Sequence, residues 1–368
     1  MTDDHMINLD MNENQYGPAS SCFEVLKHVP MDMMNSYPRQ KPSSIIKMLS
    51  QKYGIPEQNI LLGNGSEDLL KLTFQMFASH GKKMMLPYEG WSYFKDLGKE
   101  VDAKMIEYPV DELSDRWHYD MNKILPLYKK EKPHLFMACC PNNPTGNSFT
   151  PDEVETFLKE SPETIVIWDQ AYYGFTEYDL KEEIRRILEK YPNLIVTRTF
   201  SKYYALAGIR IGFGFIGKKL DGLRKYNNRY LGFNRLAEEV AKAALSAEDY
   251  YKNISAKQMR DREMYFEELS KIEGVKPFRS EATFFIARLK PGPWSRLKDE
   301  LPKRKIRIKF INDKEFPFFV RISLGTEVQN KLCIEAMKDI LSKLPAADGR
   351  GLAGSQGCPR RSNPAPSR

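Results

Sequence analysis

Short apolar runs alternate along the chain with longer amphipathic stretches, and the two periods separate strands from helices. Runs at 60–62, 84–86, 134–140, 164–168, 194–197 and 209–216 are rich in Ile, Leu, Val, Met and Phe and are bounded by glycine, proline or asparagine. Each predicts a buried strand. Between them, 20–27, 43–52, 66–79, 151–159 and 179–190 read as helices. In the last of these, Leu180, Ile184, Ile187 and Leu188 form one stripe, so its many charges are a solvated face. Strand and helix in alternation predict an α/β domain. Two further helical patterns follow, 218–229 and 236–271, the second long enough to link two domains. From residue 275 the pattern changes to strands at 283–289, 306–311 and 318–324 and a closing helix at 327–343, a smaller α+β domain. Within 305–310, Ile306, Ile308 and Phe310 share one face and Lys305, Arg307 and Lys309 the other.

Composition narrows the picture. The chain has 368 residues and a formal charge of +7. Four arginines and one aspartate in 346–368 supply +3 of that. The balance is too small to imply nucleic acid. That tail, rich in Gly, Pro, Ser and Arg, is expected to be disordered. Five cysteines without a CxxC spacing argue for reduced thiols and against a disulfide framework or a metal site. An acidic N-terminus and the absence of a long apolar run predict a cytoplasmic protein with no membrane segment.

Candidate chemistry gathers at strand ends. Lys202 lies in a turn between two predicted buried strands, where burial disfavours its charged form and suits it to a Schiff base. Thr199 and Ser201 flank it, and Arg210 offers a fork for phosphate. An amine for an aldehyde, with hydroxyls and a guanidinium for a phosphate, describes a pyridoxal phosphate pocket. The plainer alternative is a surface lysine and an ordinary ion-pairing arginine. Gly63-Asn64-Gly65-Ser66-Glu67 is a glycine turn before a helix, with Ser66 the expected N-cap and free amides beyond it for an anion. Asp169 ends a fully apolar strand and must be solvated, paired or hydrogen-bonded, a need that a pyridinium N–H would meet. Arg321 stands in an apolar run and wants a carboxylate from the protein or a substrate. Residues 12–18 read as a polar capped loop. Tyr88, Trp91, Tyr93 and Phe94 form an aromatic cluster, more often core than platform, of which one member could cover a flat ring. The Asn143–Pro144 bond is a candidate for cis.

A glycine turn, Pro141-Asn142-Asn143-Pro144-Thr145-Gly146, Asp169-Gln170-Ala171-Tyr172, Ser201-Lys202 with Arg210, and a late Arg321 occur in order. In this the chain resembles, over residues 8–344, the class I/II aminotransferases of PLP fold type I, and most of all the histidinol-phosphate aminotransferase group. The resemblance implies a large domain with a mostly parallel seven-stranded sheet flanked by helices, over 36–245. It also implies an N-terminal segment, 1–35, joining a small α+β domain at 246–345, with the tail at 346–368. The cofactor implied is pyridoxal 5'-phosphate, carried by Lys202, which then serves as base and acid. Asp169 is expected to hold the ring nitrogen, and Asn143 and Tyr172 the phenolic oxygen. Gly65, Ser66, Glu67, Thr199, Ser201 and Arg210 are expected around the phosphate. Phe94 is expected to stack on the ring, with Trp91 or Tyr93 as alternatives. Tyr37 is expected to reach the phosphate of a second copy, so a homodimer is implied. Arg321 is expected to bind the substrate α-carboxylate, and Tyr16 and Lys309 to line the substrate cavity.

The sequence departs from the family at several places. Gln170 replaces the familiar glutamate, Cys140 stands where the group often has asparagine, Lys309 stands where an arginine often meets the substrate phosphate, Tyr230-Leu231-Gly232-Phe233 replaces a Tyr-Asn-Val segment, and the family's helix before Asn12-Glu13-Asn14 is nearly absent, as in the threonine-phosphate decarboxylases. The reading is transamination between an amino acid, plausibly glutamate, and a keto acid or aldehyde. The alternatives are an α-decarboxylase resembling threonine-phosphate decarboxylase and a catalytically silent sensor. No G-x-G-x-x-G follows the first strand, which disfavours a dinucleotide enzyme.

Overall fold

The structure is a computed structural model describing residues 6–38, 43–176, 180–228, 232–314 and 316–342. The expectations for 346–368, Tyr230 and Leu231 lie outside the described residues. In the N-terminal half the strands are β1 (Ile7–Leu9), β2 (Ile60–Gly63), β3 (Lys83–Pro87), β4 (Lys104–Tyr108), β5 (Asp111–Glu112), β6 (Trp117–His118) and β7 (Leu135–Cys139). They continue as β8 (Ile165–Asp169), β9 (Leu194–Thr199), β10 (Gly212–Ile216), β11 (Val275–Pro277), β12 (Phe284–Leu289), β13 (Ile306–Ile311) and β14 (Phe319–Ser323).

Seven of these form one sheet in the order β2-β10-β9-β8-β7-β3-β4. All its pairings are parallel except those of β10. Every residue of β7, β8, β9 and β10 is buried, as a sheet covered on both faces requires. Alternate residues feed two cores. Val166, Trp168 and Val196 pack with Tyr53, Phe200 and Phe213 on one face. Ile165, Ile167 and Ile195 pack with Leu69, Phe74 and Leu86 on the other. Burial of each such side chain is worth about 1.5–3 kcal/mol. The smaller sheet, β1-β13-β14-β12-β11, includes the N-terminal strand, which pairs parallel to β13.

Most expected elements are present within a residue or two. The helix Pro151–Glu160 is set by a capping box between Thr150 and Glu153 with proline in its first turn. Two expectations are corrected. The stretch 236–271 is not one helix but two, Arg235–Ser246 and Glu248–Ser270, broken at Ala247 (φ −97°, ψ 41°). Asn234 caps the first, and Glu248 and Asp249 place negative charge at the positive end of the second. The stretch at 218 is a 3₁₀ helix, Lys218–Asn228. Strand β4 and the helix Met121–Glu131 were not expected, because charged residues interrupt their apolar pattern. Among the described residues no helix is long and apolar enough to cross a membrane.

The register of β10 brings the parts of the site together. Gly212 pairs with Gly63 on one side and Thr199 on the other, so the glycine turn, the lysine turn and Arg210 share one sheet edge. A Cβ on Gly212 would collide with the backbone of Gly65 and Ser66. Backbone cannot swing aside as a side chain can, so Gly212→Ala is expected to cost about 1–3 kcal/mol. Chemical denaturation, read alongside cofactor retention, checks it: an unchanged midpoint would mean the turn is free to move.

Candidate active site

The carboxyl ends of β7, β8 and β9, and the turn after β2, open onto one cavity of about 770 Å³. In open α/β sheets this edge is where ligands bind. Gly65, Ser66, Glu67, Phe94, Asn143, Asp169, Tyr172, Thr199, Ser201, Lys202, Arg210, Lys309 and Arg321 all line it.

Asp169 ends β8 and is buried. Its carboxylate accepts a hydrogen bond from the Thr197 hydroxyl at 2.7 Å. Burial nevertheless raises its pKa to about 6. Lys202 follows β9, and its Nζ donates to the Met11 carbonyl at 3.1 Å and lies 5.8 Å from the Tyr172 ring centre. Burial, then the nearby charge of Arg321, lower its pKa to about 8.

The glycine turn is built for close approach. Gly65 has φ +80°, and a Cβ there would stand 2.8 Å from Arg210 Nη2. Only glycine fits without displacing the guanidinium. The N-cap is Gly65 rather than Ser66, which is the first residue of the helix Ser66–Phe77, and no side chain caps the helix. Its first amides are therefore free for an anion. Opposite them, Thr199 Oγ1 and Ser201 Oγ are 2.9 Å apart. Arg210 adopts a left-handed backbone (φ 57°). Its guanidinium donates to Ser201 Oγ at 3.5 Å and to the Glu67 carboxylate at 3.4 Å. Glu67 is also bound by the Tyr93 hydroxyl at 2.6 Å, which holds its pKa down.

On the substrate side, Arg321 reaches in from β14. It donates to Asn143 Oδ1 at 2.7 Å and to the Asp10 carbonyl at 2.6 Å, while its Nε is buried without a partner. No carboxylate pairs with it among the described residues. Lys309 is its cross-strand neighbour on β13. The Tyr172 hydroxyl accepts from Asn12 Nδ2 at 2.9 Å. Asn12 is locked in turn by Ser323, which exchanges two hydrogen bonds with it, at 2.8 and 2.9 Å.

Several expectations need adjusting. Asn12, read only as part of a capped loop, is a buried wall of the site in a left-handed conformation (φ 54°). An asparagine in a polar cluster is the one signal that could have raised it, since this residue type tolerates that backbone. Tyr16 is not in the cavity lining. A turn at Asn14 aims its hydroxyl at the Glu327 amide, 3.2 Å away, at the start of the helix Glu327–Ser342. Tyr93 turns toward Glu67, so of the three residues expected to stack on the ring Phe94 and Trp91 line the cavity. Tyr37 is 71% exposed and does not line the cavity of its own chain. Both Asn143–Pro144 and Cys140–Pro141 are cis.

Comparison with known proteins agrees with this geometry. Residues 4–337 match the family of aminotransferase class I and II. The chain belongs to that family. Among curated relatives, a histidinol-phosphate aminotransferase 1 of Mannheimia succiniciproducens is 30% identical over 92% of this chain and 90% of its own. One of Chromohalobacter salexigens is 28% identical over 92% and 93%. Among solved structures, the histidinol-phosphate aminotransferase of Sinorhizobium meliloti in complex with pyridoxal-5'-phosphate has a TM-score of 0.81 at 22% identity, covering 92% of both chains. The L-threonine-O-3-phosphate decarboxylase of Porphyromonas gingivalis has a TM-score of 0.75 at 22% identity, covering 92% of this chain and all of that one. The fold is therefore PLP fold type I, and the enzyme is a pyridoxal 5'-phosphate-dependent aminotransferase.

The residues present fit that cofactor. A buried carboxylate lacks a cation, a lysine amine holds its proton less tightly than an ordinary lysine, and a glycine turn with open amides faces hydroxyls and a guanidinium. The charged Lys202 ammonium costs the cofactor-free fold up to about 3 kcal/mol, the value of its shift from 10.5 to about 8. Because the folded pKa is lowered, this cost is complete below about pH 8 and fades as pH rises toward the unfolded value. Cofactor uptake by the apoenzyme, followed by stopped-flow absorbance, is accordingly expected to speed up with a midpoint near pH 8. Arg321→Gln is expected to move that midpoint upward. A midpoint at the ordinary lysine value in both proteins would contradict the electrostatic account.

Proposed function

We propose that the enzyme moves an amino group between an amino acid, with glutamate as donor, and a keto acid or aldehyde. The reading rests on one observation: the Lys202 amine, the Asp169 carboxylate and the incompletely partnered Arg321 guanidinium face the same cavity. When bound, the cofactor's ring supplies an electron sink for the bonds at the substrate Cα.

The chain's own groups have separate tasks. Lys202 would hold the cofactor through its amine, then take the proton from the substrate Cα and return it, which its low pKa favours near neutrality. Asp169 would accept the N–H of the ring nitrogen and keep that proton in place. Asn143 and Tyr172 have their accepting oxygens occupied by Arg321 and Asn12, which leaves Asn143 Nδ2 and the Tyr172 O–H as donors toward the phenolic oxygen. The free amides of the turn at Gly65, with Ser66, Glu67, Thr199, Ser201 and Arg210, would hold the phosphate. Phe94 would cover the ring. Arg321 would take the α-carboxylate, with its Nε as an added donor, and Lys309 a second anionic group such as the donor's side-chain carboxylate. Lysine is a compact charge without a fork, so it offers that second group a single charge rather than two paired donors, unlike the arginine that often meets a substrate phosphate in the family.

The assembly proposed is a homodimer in which Tyr37 reaches the partner's phosphate. Phe23, Leu26, Met31, Met34 and Tyr37 are all exposed within one short span, an apolar surface of the kind a second copy covers.

Glutamate added to the purified holoenzyme is expected to convert the cofactor's aldehyde to an amine, seen by absorbance. Its failure, together with CO₂ release from a phosphoamino acid, would favour decarboxylation instead. Arg321→Gln is expected to raise KM for glutamate about 30-fold or more, the cost of leaving a buried carboxylate half-paired. Steady-state kinetics with glutamate and with a donor lacking the α-carboxylate check this, since only the first is expected to suffer.

A further inference from the structure

Strands β8 and β9 carry chemistry on both faces. Asp169, Thr197 and Thr199 point to the cofactor side, and the residues between and beside them, Trp168, Gln170 and Arg198, line a second cavity of about 370 Å³. Arg198 is only 2% exposed. Its Nε donates to Gln170 Oε1 at 2.8 Å, a neutral partner. Its guanidinium lies over the rings of Tyr173 and Tyr53, 4.2 and 5.0 Å from their centres. Its two terminal nitrogens have no hydrogen-bond or ion-pair partner among the described residues, and they border the cavity.

The neighbours deepen the imbalance. Gln170, 1% exposed, turns its oxygen to Arg198 and leaves Nε2 unpartnered. The indole N–H of Trp168, 0% exposed, has only the weakly accepting Cys140 sulfur beside it. An unpartnered amide, a poorly satisfied indole N–H and a buried cation thus face one hollow. The carboxylates that line it do not answer. Glu248 is held by Lys52 at 2.7 Å and Lys252 at 2.8 Å, and Glu281 makes no ion pair with Arg198. Lys52, Lys181 and Lys252 have partners of their own, so among the described residues one guanidinium is the cation left for a ligand. The walls also carry a large aromatic and apolar share, including Tyr53, Phe149, Tyr173 and Tyr204, with hydroxyls at Ser148, Thr150, Thr176 and Ser255.

We propose that this cavity is a second ligand site, separate from the catalytic one, that binds a small monocarboxylate with an aromatic or other apolar body. The carboxylate meets the Arg198 fork, with the Gln170 amide and the Trp168 indole as further donors, and the body fills the aromatic walls. A planar carboxylate matches a single guanidinium. A phosphate dianion would need a second free cation, and none is offered.

The test uses holoenzyme carrying Arg321→Gln, which removes the carboxylate anchor of the catalytic cavity. In calorimetric titration, 3-phenylpropionate is expected to bind once per chain, at least about tenfold tighter than its uncharged amide. Gln170→Glu on that background gives Arg198 a carboxylate from within the protein. It is expected to weaken 3-phenylpropionate at least about tenfold while the thermal midpoint stays level or rises. Arg198→Met is expected to abolish binding, and if that variant fails to fold, Gln170→Glu decides alone. A crystal soaked with the acid is expected to show it against Arg198. No binding, equal binding of acid and amide, undiminished binding to Gln170→Glu, or density only elsewhere would each overturn the assignment.

Discussion

Burial of one amine in the company of other cations is the constraint on which this structure turns. Lys202 shares its cavity with Arg321 and Arg210, and burial and these two cations together hold its proton loosely. A charge disfavoured both by burial and by its neighbours persists only if the surrounding fold is rigid enough to impose the arrangement. That rigidity comes from strands whose residues are buried on both faces. Asp169, buried at the edge, is itself kept short of a cation, receiving a hydroxyl from Thr197 and no ion pair among the described residues. Lys202 and Asp169 therefore face the cavity without being paired to each other, while Arg210 is partly answered by Glu67.

Backbone geometry does the rest. The site draws on residues from 10 to 321, yet the sheet needs only its register to align them, because Gly212 pairs with both Gly63 and Thr199 and Asp169 pairs with Cys139 and Thr197. The smaller sheet contributes through β14 and its neighbour β13, which present Arg321 and Lys309 side by side. Arg321 then reaches across to Asn143, beyond the end of β7 in the larger sheet, so one side chain both awaits a substrate and links the two sheets.

What the sequence disclosed depended on how local the chemistry was. Asp169, Lys202 and the segment Pro141 to Gly146 were legible because each is a polar group or turn placed directly after an apolar run. The alternating strands and helices were legible for the same reason. Asn12 was not, since its role arises from a left-handed backbone and from partners at Tyr172 and Ser323 far along the chain. Tyr16 was misplaced because a turn decides which way a tyrosine faces, and turn direction is invisible to periodicity. The break at Ala247 has no glycine or proline to announce it, although the acidic pair that follows is the usual mark of a new helix start.

Arg321, half-buried, and Arg198, buried, make the same physical point in two different cavities. Leaving a guanidinium in the interior without a carboxylate costs several kcal/mol, far more than the ~0–1 kcal/mol that each exposed ion pair returns. Neutral partners and aromatic faces soften the cost: Asn143 and a carbonyl for Arg321, Gln170 and two tyrosine rings for Arg198. They do not remove it, because a neutral oxygen satisfies a donor without neutralising a charge. At position 321 the residual imbalance has an obvious use, since every amino-acid substrate brings a carboxylate. At position 198 the same imbalance stands beside a hollow and an unpartnered Gln170 amide, and a glutamate in place of Gln170 would have ended it at no cost in volume.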